Sequence, residues 1–212
     1  MIGYYNYTVY LTYLGVTFGL LGIYTASAGN ISWAMVCLML AGFCDMFDGT
    51  VAKTRKRTIQ EQRFGIQIDS LSDLVCFGVL PAVIGYNIGM KDHPVYYVIL
   101  VAFSLAALIR LAYFNVMEEE RQQANGGPRK YYEGLPVTNV ALILPVIYSF
   151  RRFIGLGSNF LFVYSIALAV IAIAFVIKFR IVKLQMKGML VVLGLGIIEF
   201  IWFLTEFNVG IK

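Results

Sequence analysis

Four aspartates carry the chemistry that this sequence suggests. Asp45 and Asp48 stand three residues apart and Asp69 and Asp73 four apart, all in or beside apolar segments. An ionised carboxylate in hydrocarbon is costly, so intramembrane acids are rare and usually mark a site. On helices, spacings of three and four put both members of a pair on one face. A chain reversal between Asp48 and Asp69 would run the two helices antiparallel and turn the pairs toward each other. Four carboxylates gathered in this way repel one another unless cations sit among them. All-oxygen ligands suit hard divalent ions such as magnesium, manganese or calcium. Two such ions sharing four carboxylates suit displacement at phosphorus.

Small residues accompany the acids. Gly49 follows Asp48, Ala52 lies one helical turn beyond it, and Gly65 lies one turn before Asp69. Missing side chains let a phosphorylated or flat ligand approach the backbone. Tight helix packing in a membrane uses the same residue types, and the neighbouring aspartates favour ligand approach.

The elements that hold these residues follow from composition. Of the 212 residues 59% are hydrophobic and only 14% charged, and the mean hydropathy is +0.76. That balance predicts an all-α, polytopic transmembrane helix bundle forming one domain over 1–212. The net charge of +5 is no nucleic-acid signal, because the basic residues sit in short loops where they orient the chain. Seven segments approach the ~20 residues that span hydrocarbon: Val9–Ala28, Ser32–Val51, Ile66–Met90, Pro94–Met117, Leu135–Phe150, Asn159–Lys178 and Gly188–Phe207. If the fifth or the last does not cross, six spans remain. No cleavable signal peptide is expected at the start, where the first apolar segment is too long for one.

Lys53, Arg55, Lys56, Arg57 and Arg63 follow the second segment, Arg121, Arg129 and Lys130 the fourth, and Lys178, Arg180, Lys183 and Lys187 the sixth. Only Lys91, Arg151, Arg152 and Lys212 fall on the opposite side. This asymmetry places the N-terminus and the aspartates on the cytoplasmic side of the cell membrane. Thr54–Phe64 reads as a solvated, orienting loop, which could also attract anionic headgroups at about 1 kcal/mol per basic residue. Gly126-Gly127-Pro128 marks an irregular turn in the next cytoplasmic loop. Cys37, Cys44 and Cys76 lack metal-ligand spacing and read as small buried hydrophobes.

The pattern Asp45-xx-Asp48-Gly49-xx-Ala52 … Gly65-xxx-Asp69-xxx-Asp73 resembles the signature of the CDP-alcohol phosphotransferase family. Lys53 stands where that family usually has arginine. The stretch from Thr54 to Phe64 is longer than the family's, in a polar loop where length costs little. Phe47–Ala82, ALIRLAYFNV (Ala107–Val116) and YEGLPVTN (Tyr132–Asn139) are similar to the membrane-embedded phosphatidylserine synthases within that family. The resemblance implies CDP-diacylglycerol and L-serine as substrates, phosphatidylserine and CMP as products, two divalent cations (Mg2+ or Mn2+), and a homodimer. It assigns Asp45, Asp48 and Asp69 to one metal and Asp45, Asp69 and Asp73 to the other. Asp48, Gly49, Ala52, Lys53 and Gly65 would lie along the CDP moiety, and Asp73 would be the catalytic base.

Other polar residues have two readings each. Arg110, inside a span, needs an anionic partner or a route to water: an aspartate, or a substrate carboxylate or phosphate. Asn115 could share that surface or serve packing. Glu133 and Asn139, flanking Gly134-Leu135-Pro136, are candidates for recognising the acceptor. His93 reads as an outer surface residue, and Glu199 is an intramembrane acid with no assigned role. Two rival functions stay open: the same family with choline, inositol or glycerol phosphate as acceptor, and a divalent-cation transporter. A transporter calls for acids distributed across the membrane, whereas these cluster at one face.

Overall fold

The computed structural model of the protein describes residues 3–123, 131–151, 158–182, 194–203 and 205. Its helices are α1 (Tyr10–Ser27), α2 (Ile31–Ala52), α3 (Ile59–Asp73), α4 (Leu80–Ile88), α5 (Pro94–Gln123), α6 (Val140–Ser149) and α7 (Ser158–Val176), followed by α8 (Gly194–Phe203). A π-helical turn, Leu74–Val79, joins α3 to α4 without a break. The chain is an all-α polytopic bundle. Five of its helical segments are long and apolar enough to cross a membrane: Tyr7–Ser27, Ile31–Ala52, Ile59–Ile88, Pro94–Arg121 and Asn159–Val176.

One of the seven expected spans is shorter than the sequence suggests. The fifth is the apolar helix Val137–Ser149, which carries Pro145 within it. At about 1.5 Å per residue it reaches only about 20 Å of a ~30 Å hydrocarbon core. For the last, Gly194–Phe203 is described, and its expected limits Gly188 and Phe207 lie outside the described residues. So do the turn Gly126-Gly127-Pro128 and the basic residues Arg129, Lys130, Arg152, Lys183, Lys187 and Lys212.

The third span is a correction in the other direction. It starts at Ile59, not Ile66, so half of the expected loop Thr54–Phe64 is helix. Thr58 Oγ1 accepts from Glu61 N at 3.2 Å, and Glu61 Oε2 accepts from Thr58 N at 2.8 Å. This reciprocal capping box satisfies two of the free N–H groups of the first turn. The hydrophobicity of the span begins only later, and hydropathy alone therefore misplaced its start.

Lipid tails are as apolar as leucine, so the bundle associates by close packing rather than by the hydrophobic effect. α1 packs along α2, α3, the π turn and α4. A Cβ on Gly19 of α1 would stand 2.5 Å from Cys76 Sγ in the π turn, so only glycine admits this approach. Cys76 Sγ donates to Gly15 O at 3.4 Å in the same contact. The three cysteines are buried free thiols, as expected. Deeper in, Phe77, Leu80, Ile84, Phe103, Tyr164 and Phe175 are almost fully enclosed. Tyr164 Oη donates to Pro81 O at 3.1 Å and Ser104 Oγ to Gly78 O at 2.9 Å, pinning α4 to α7 and the π turn to α5.

The all-α reading needs one small addition. Strands β1 (Tyr131–Glu133) and β2 (Arg180–Val182) pair antiparallel, with Tyr132 opposite Ile181. Next to them Gly134 N donates to Phe179 O at 2.8 Å and Leu135 N to Ala174 O at 3.1 Å, the second of which satisfies a carbonyl in the last turn of α7. Gly134 has φ +72°, and a Cβ there would lie 3.1 Å from Ile177 O, so both conformation and space call for glycine.

Candidate active site

Asp45 and Asp48 lie on the last two turns of α2, and Asp69 and Asp73 on the last two of α3. The chain reverses at Lys53–Thr58, and the two helices present their acids to one another as the spacing predicts. Carboxylate oxygens of Asp45, Asp48 and Asp69 all lie within 4.8 Å of one another. The pairing is the nested one of an antiparallel hairpin: Asp48 faces Asp69 nearer the turn and Asp45 faces Asp73 further from it. α2 and α3 are not closely packed on each other, and α1 lies against both. The space between the two acid-bearing helices is thus lined by carboxylates.

Depth separates the four acids. Asp45, Asp48 and Asp69 are half-buried, and Asp73 is 9% exposed at the floor. Among the described residues no lysine, arginine or histidine forms an ion pair with any of them. Oxygens within 4.8 Å of each other can share one hard cation, whose bonds to oxygen run about 2.0–2.6 Å. The donor set is therefore one that fits magnesium or manganese, and it lacks the nitrogen or sulfur that softer metals prefer.

The rim is open where the sequence suggests a ligand. Gly49 is exposed, and a Cβ there would meet nothing within 4 Å. Ala52 is half-buried and Lys53 exposed beyond it. Gly65 differs: the Arg57 guanidinium lies 3.0 Å from its Cβ position. A flexible arginine therefore covers this part of the rim.

The remaining candidates separate from the acid cluster to different degrees. Arg110 is 6% exposed; its Nε donates to Leu135 O at 3.2 Å and its guanidinium sits 5.7 Å from the Phe114 ring centre. These contacts hold the turn that follows β1. Asn115 Oδ1 accepts from Ser70 Oγ at 2.8 Å, which fixes α5 to α3 beside Asp69. Glu133 is exposed and accepts from Tyr113 Oη at 2.8 Å. Asn139 is exposed in the short turn that leads into α6. His93 stacks edge-on with Tyr96, far in the chain from the cluster.

Sequence reasoning missed the contribution of the N-terminus. Thr12 Oγ1 donates to Asp48 Oδ2 at 3.3 Å, and Asn6 Nδ2 to Glu61 Oε1 at 3.2 Å. Asn6 and Thr12 are polar residues beside an apolar segment, and only that contrast hints at their use.

Comparison with known proteins agrees with the motif. The family model described as CDP-alcohol phosphatidyltransferase matches residues 5–178. A CDP-diacylglycerol–serine O-phosphatidyltransferase of Saccharomyces cerevisiae is 42% identical over 117 residues, covering 54% of this chain and 41% of the relative. An archaetidylserine synthase of Methanothermobacter thermautotrophicus is 29% identical over 153 residues, covering 72% and 62%. A CDP-diacylglycerol–serine O-phosphatidyltransferase of Bacillus subtilis is 27% identical over 127 residues, covering 59% and 67%. The chain thus spans less than two thirds of the yeast and archaeal relatives it matches.

Proposed function

The chain belongs to the CDP-alcohol phosphatidyltransferase family, and from that premise we propose that it transfers the phosphatidyl group of CDP-diacylglycerol to L-serine. The observation that carries this reading is the convergence of Asp45, Asp48 and Asp69 beside an open Gly49. The yeast and archaeal relatives differ in the lipid that their names imply and share serine, which supports serine as the acceptor here.

Asp45, Asp48 and Asp69 would hold one divalent cation and Asp45, Asp69 and Asp73 a second. When bound, such ions neutralise the donor's diphosphate and the charge that develops as CMP departs. The chain's own residues do the rest. Gly49 leaves room for the nucleotide at the rim, Ala52 keeps the next turn low, and Lys53 offers a charge to a phosphate. A serine hydroxyl is a poor nucleophile at neutral pH and needs a positioned base. Asp73, at the floor, takes that proton as the serine oxygen forms its bond to the lipid-bearing phosphorus. The bond from that phosphorus to the oxygen of CMP breaks, and CMP carries away the electron pair. Glu133 and Asn139 are the acceptor-side candidates, with Arg110 and Asn115 holding the elements between them and the acids.

Basic residues around the α2–α3 turn support a cytoplasmic rim in the cell membrane. Water-soluble serine and CMP reach such a rim while the diacyl tails stay in lipid. A homodimer belongs to the same reading, on family resemblance.

CMP release from the purified protein, given CDP-diacylglycerol and Mg2+ or Mn2+, tests the proposal with serine, inositol, choline and glycerol phosphate offered separately. Release with serine is the expected result. Release only with another acceptor overturns the substrate, and no release with any acceptor, with or without metal, overturns the enzyme.

A further inference from the structure

The segment from Tyr4 to Thr12 grips both acid-bearing helices. Asn6, 7% exposed, accepts from Thr8 N at 3.0 Å and from the Thr8 hydroxyl through Oδ1. Its Nδ2 donates to Glu61, the residue that closes the capping box of α3. Tyr4 Oη donates to Gln60 Oε1 at 2.8 Å, and its ring meets Phe64 edge-on at 5.5 Å. The Tyr7 hydroxyl and Thr54 Oγ1 lie 2.9 Å apart, which adds the α2–α3 turn. Thr12, 8% exposed in the first turn of α1, completes the set at Asp48 on α2.

Thr12 behaves unlike the other threonines of its helix. Inside a helix a threonine hydroxyl ordinarily bonds back to a carbonyl three or four residues earlier. Thr17 does so to Tyr13 O at 2.8 Å and Thr25 to Gly22 O at 3.0 Å. Thr12 instead spends its one donor on a carboxylate of another helix. A donor held on Oδ2 fixes the rotation of that carboxylate, and with it the direction of Oδ1. Partners of this kind orient metal ligands, and their loss typically costs about 10- to 100-fold in metal affinity or activity.

We propose that Thr12 is a positioning residue for the cation-binding carboxylates, holding Asp48 in the orientation that the metal trio requires. The inference rests on the metal reading above and adds to it a residue from outside the signature. The strap gives it a rigid base, because the same segment that carries Thr12 is clasped to the start of the helix bearing Asp69 and Asp73.

Mn2+ titration of the purified, substrate-free protein followed by electron paramagnetic resonance tests it, with the metal-free melting temperature measured alongside. Thr12→Val is expected to weaken Mn2+ binding by about tenfold or more with little change in metal-free melting, and Thr12→Ser to restore most of the loss. Thr12→Ala repeats the measurement if the valine variant does not accumulate. Wild-type affinity in the hydroxyl-less variants overturns the inference. A serine variant as weak as the valine variant overturns it too, because Thr12 would then be a packing residue. Asp48→Asn separates the two levels. If it binds Mn2+ like the wild type, the metal reading falls and this inference with it; if it is impaired while Thr12→Val is intact, this inference alone falls.

Discussion

Two places in the bundle bury acids, and they are built differently. At the α2–α3 end, carboxylates from two helices meet within 4.8 Å, with a third helix supplying Thr12. On α8, Glu199 is 8% exposed and, among the described residues, neither of its carboxylate oxygens has a hydrogen-bond partner. One turn further Phe203 stacks on Tyr148 of α6, with ring centres 5.7 Å apart. Hydropathy flags both places equally, since each interrupts an apolar segment with charge. What separates them is convergence. A cation needs several oxygens at once, and one helix can rarely supply them all. Among the described residues Glu199 joins no cluster of acids, and a single carboxylate cannot assemble such a site.

The comparison can be broken most directly at the cluster. Asp45→Asn or Asp69→Asn removes a ligand of the trio and should lower CMP release by at least about 10³-fold, equivalent to several kcal/mol of charge stabilisation. Steady-state rates across a Mn2+ series check this, and a loss restored by excess metal would show weakened affinity instead. Asp73→Asn should lower turnover by about 10²- to 10⁴-fold, the range for a lost general base, while CDP-diacylglycerol still binds in an equilibrium assay. Full turnover in that variant removes Asp73 as the base.

Gly49→Val sharpens the rim. Nothing within 4 Å would meet its first added carbon, so folding should hold. The nucleotide should bind at least about tenfold more weakly, a loss of about 1.4 kcal/mol. Unchanged KM for CDP-diacylglycerol would show that the nucleotide does not cross this glycine. The smallest effect is expected at Glu199→Gln, which removes a buried carboxyl with no hydrogen-bond partner among the described residues. Turnover should stay at the wild-type level and the melting temperature should not fall. A loss as large as that of Asp69→Asn would erase the contrast between the two regions.

Much of the site was legible because its logic is local. A spacing of three or four on a helix fixes a shared face whatever else the chain does, so Asp45/Asp48 and Asp69/Asp73 were paired correctly from type and number alone. Long apolar runs marked the helices for the same reason. The start of α3 was also written locally, in the Thr58-xx-Glu61 capping box, but the basic, polar composition of Thr54–Phe64 outweighed it. Contacts between residues distant in the chain were not legible. Asn6 with Glu61 and Thr12 with Asp48, or Glu133 opposite Arg180, pair residues with no periodic signal between them. The π turn at Leu74–Val79 was equally silent, though such turns often sit at functional sites.

The sequence by itself determined that this chain is a bundle of apolar helices with two acid pairs facing each other across a reversal, because helical periodicity and the cost of charge in hydrocarbon act residue by residue. Tertiary structure alone decided that Asp73 lies deepest and that Thr12 of the N-terminal segment reaches Asp48. Those outcomes depend on how closely α1 can approach α2 and α3, a distance set by side-chain packing at Gly19 and Cys76 that no single helix encodes.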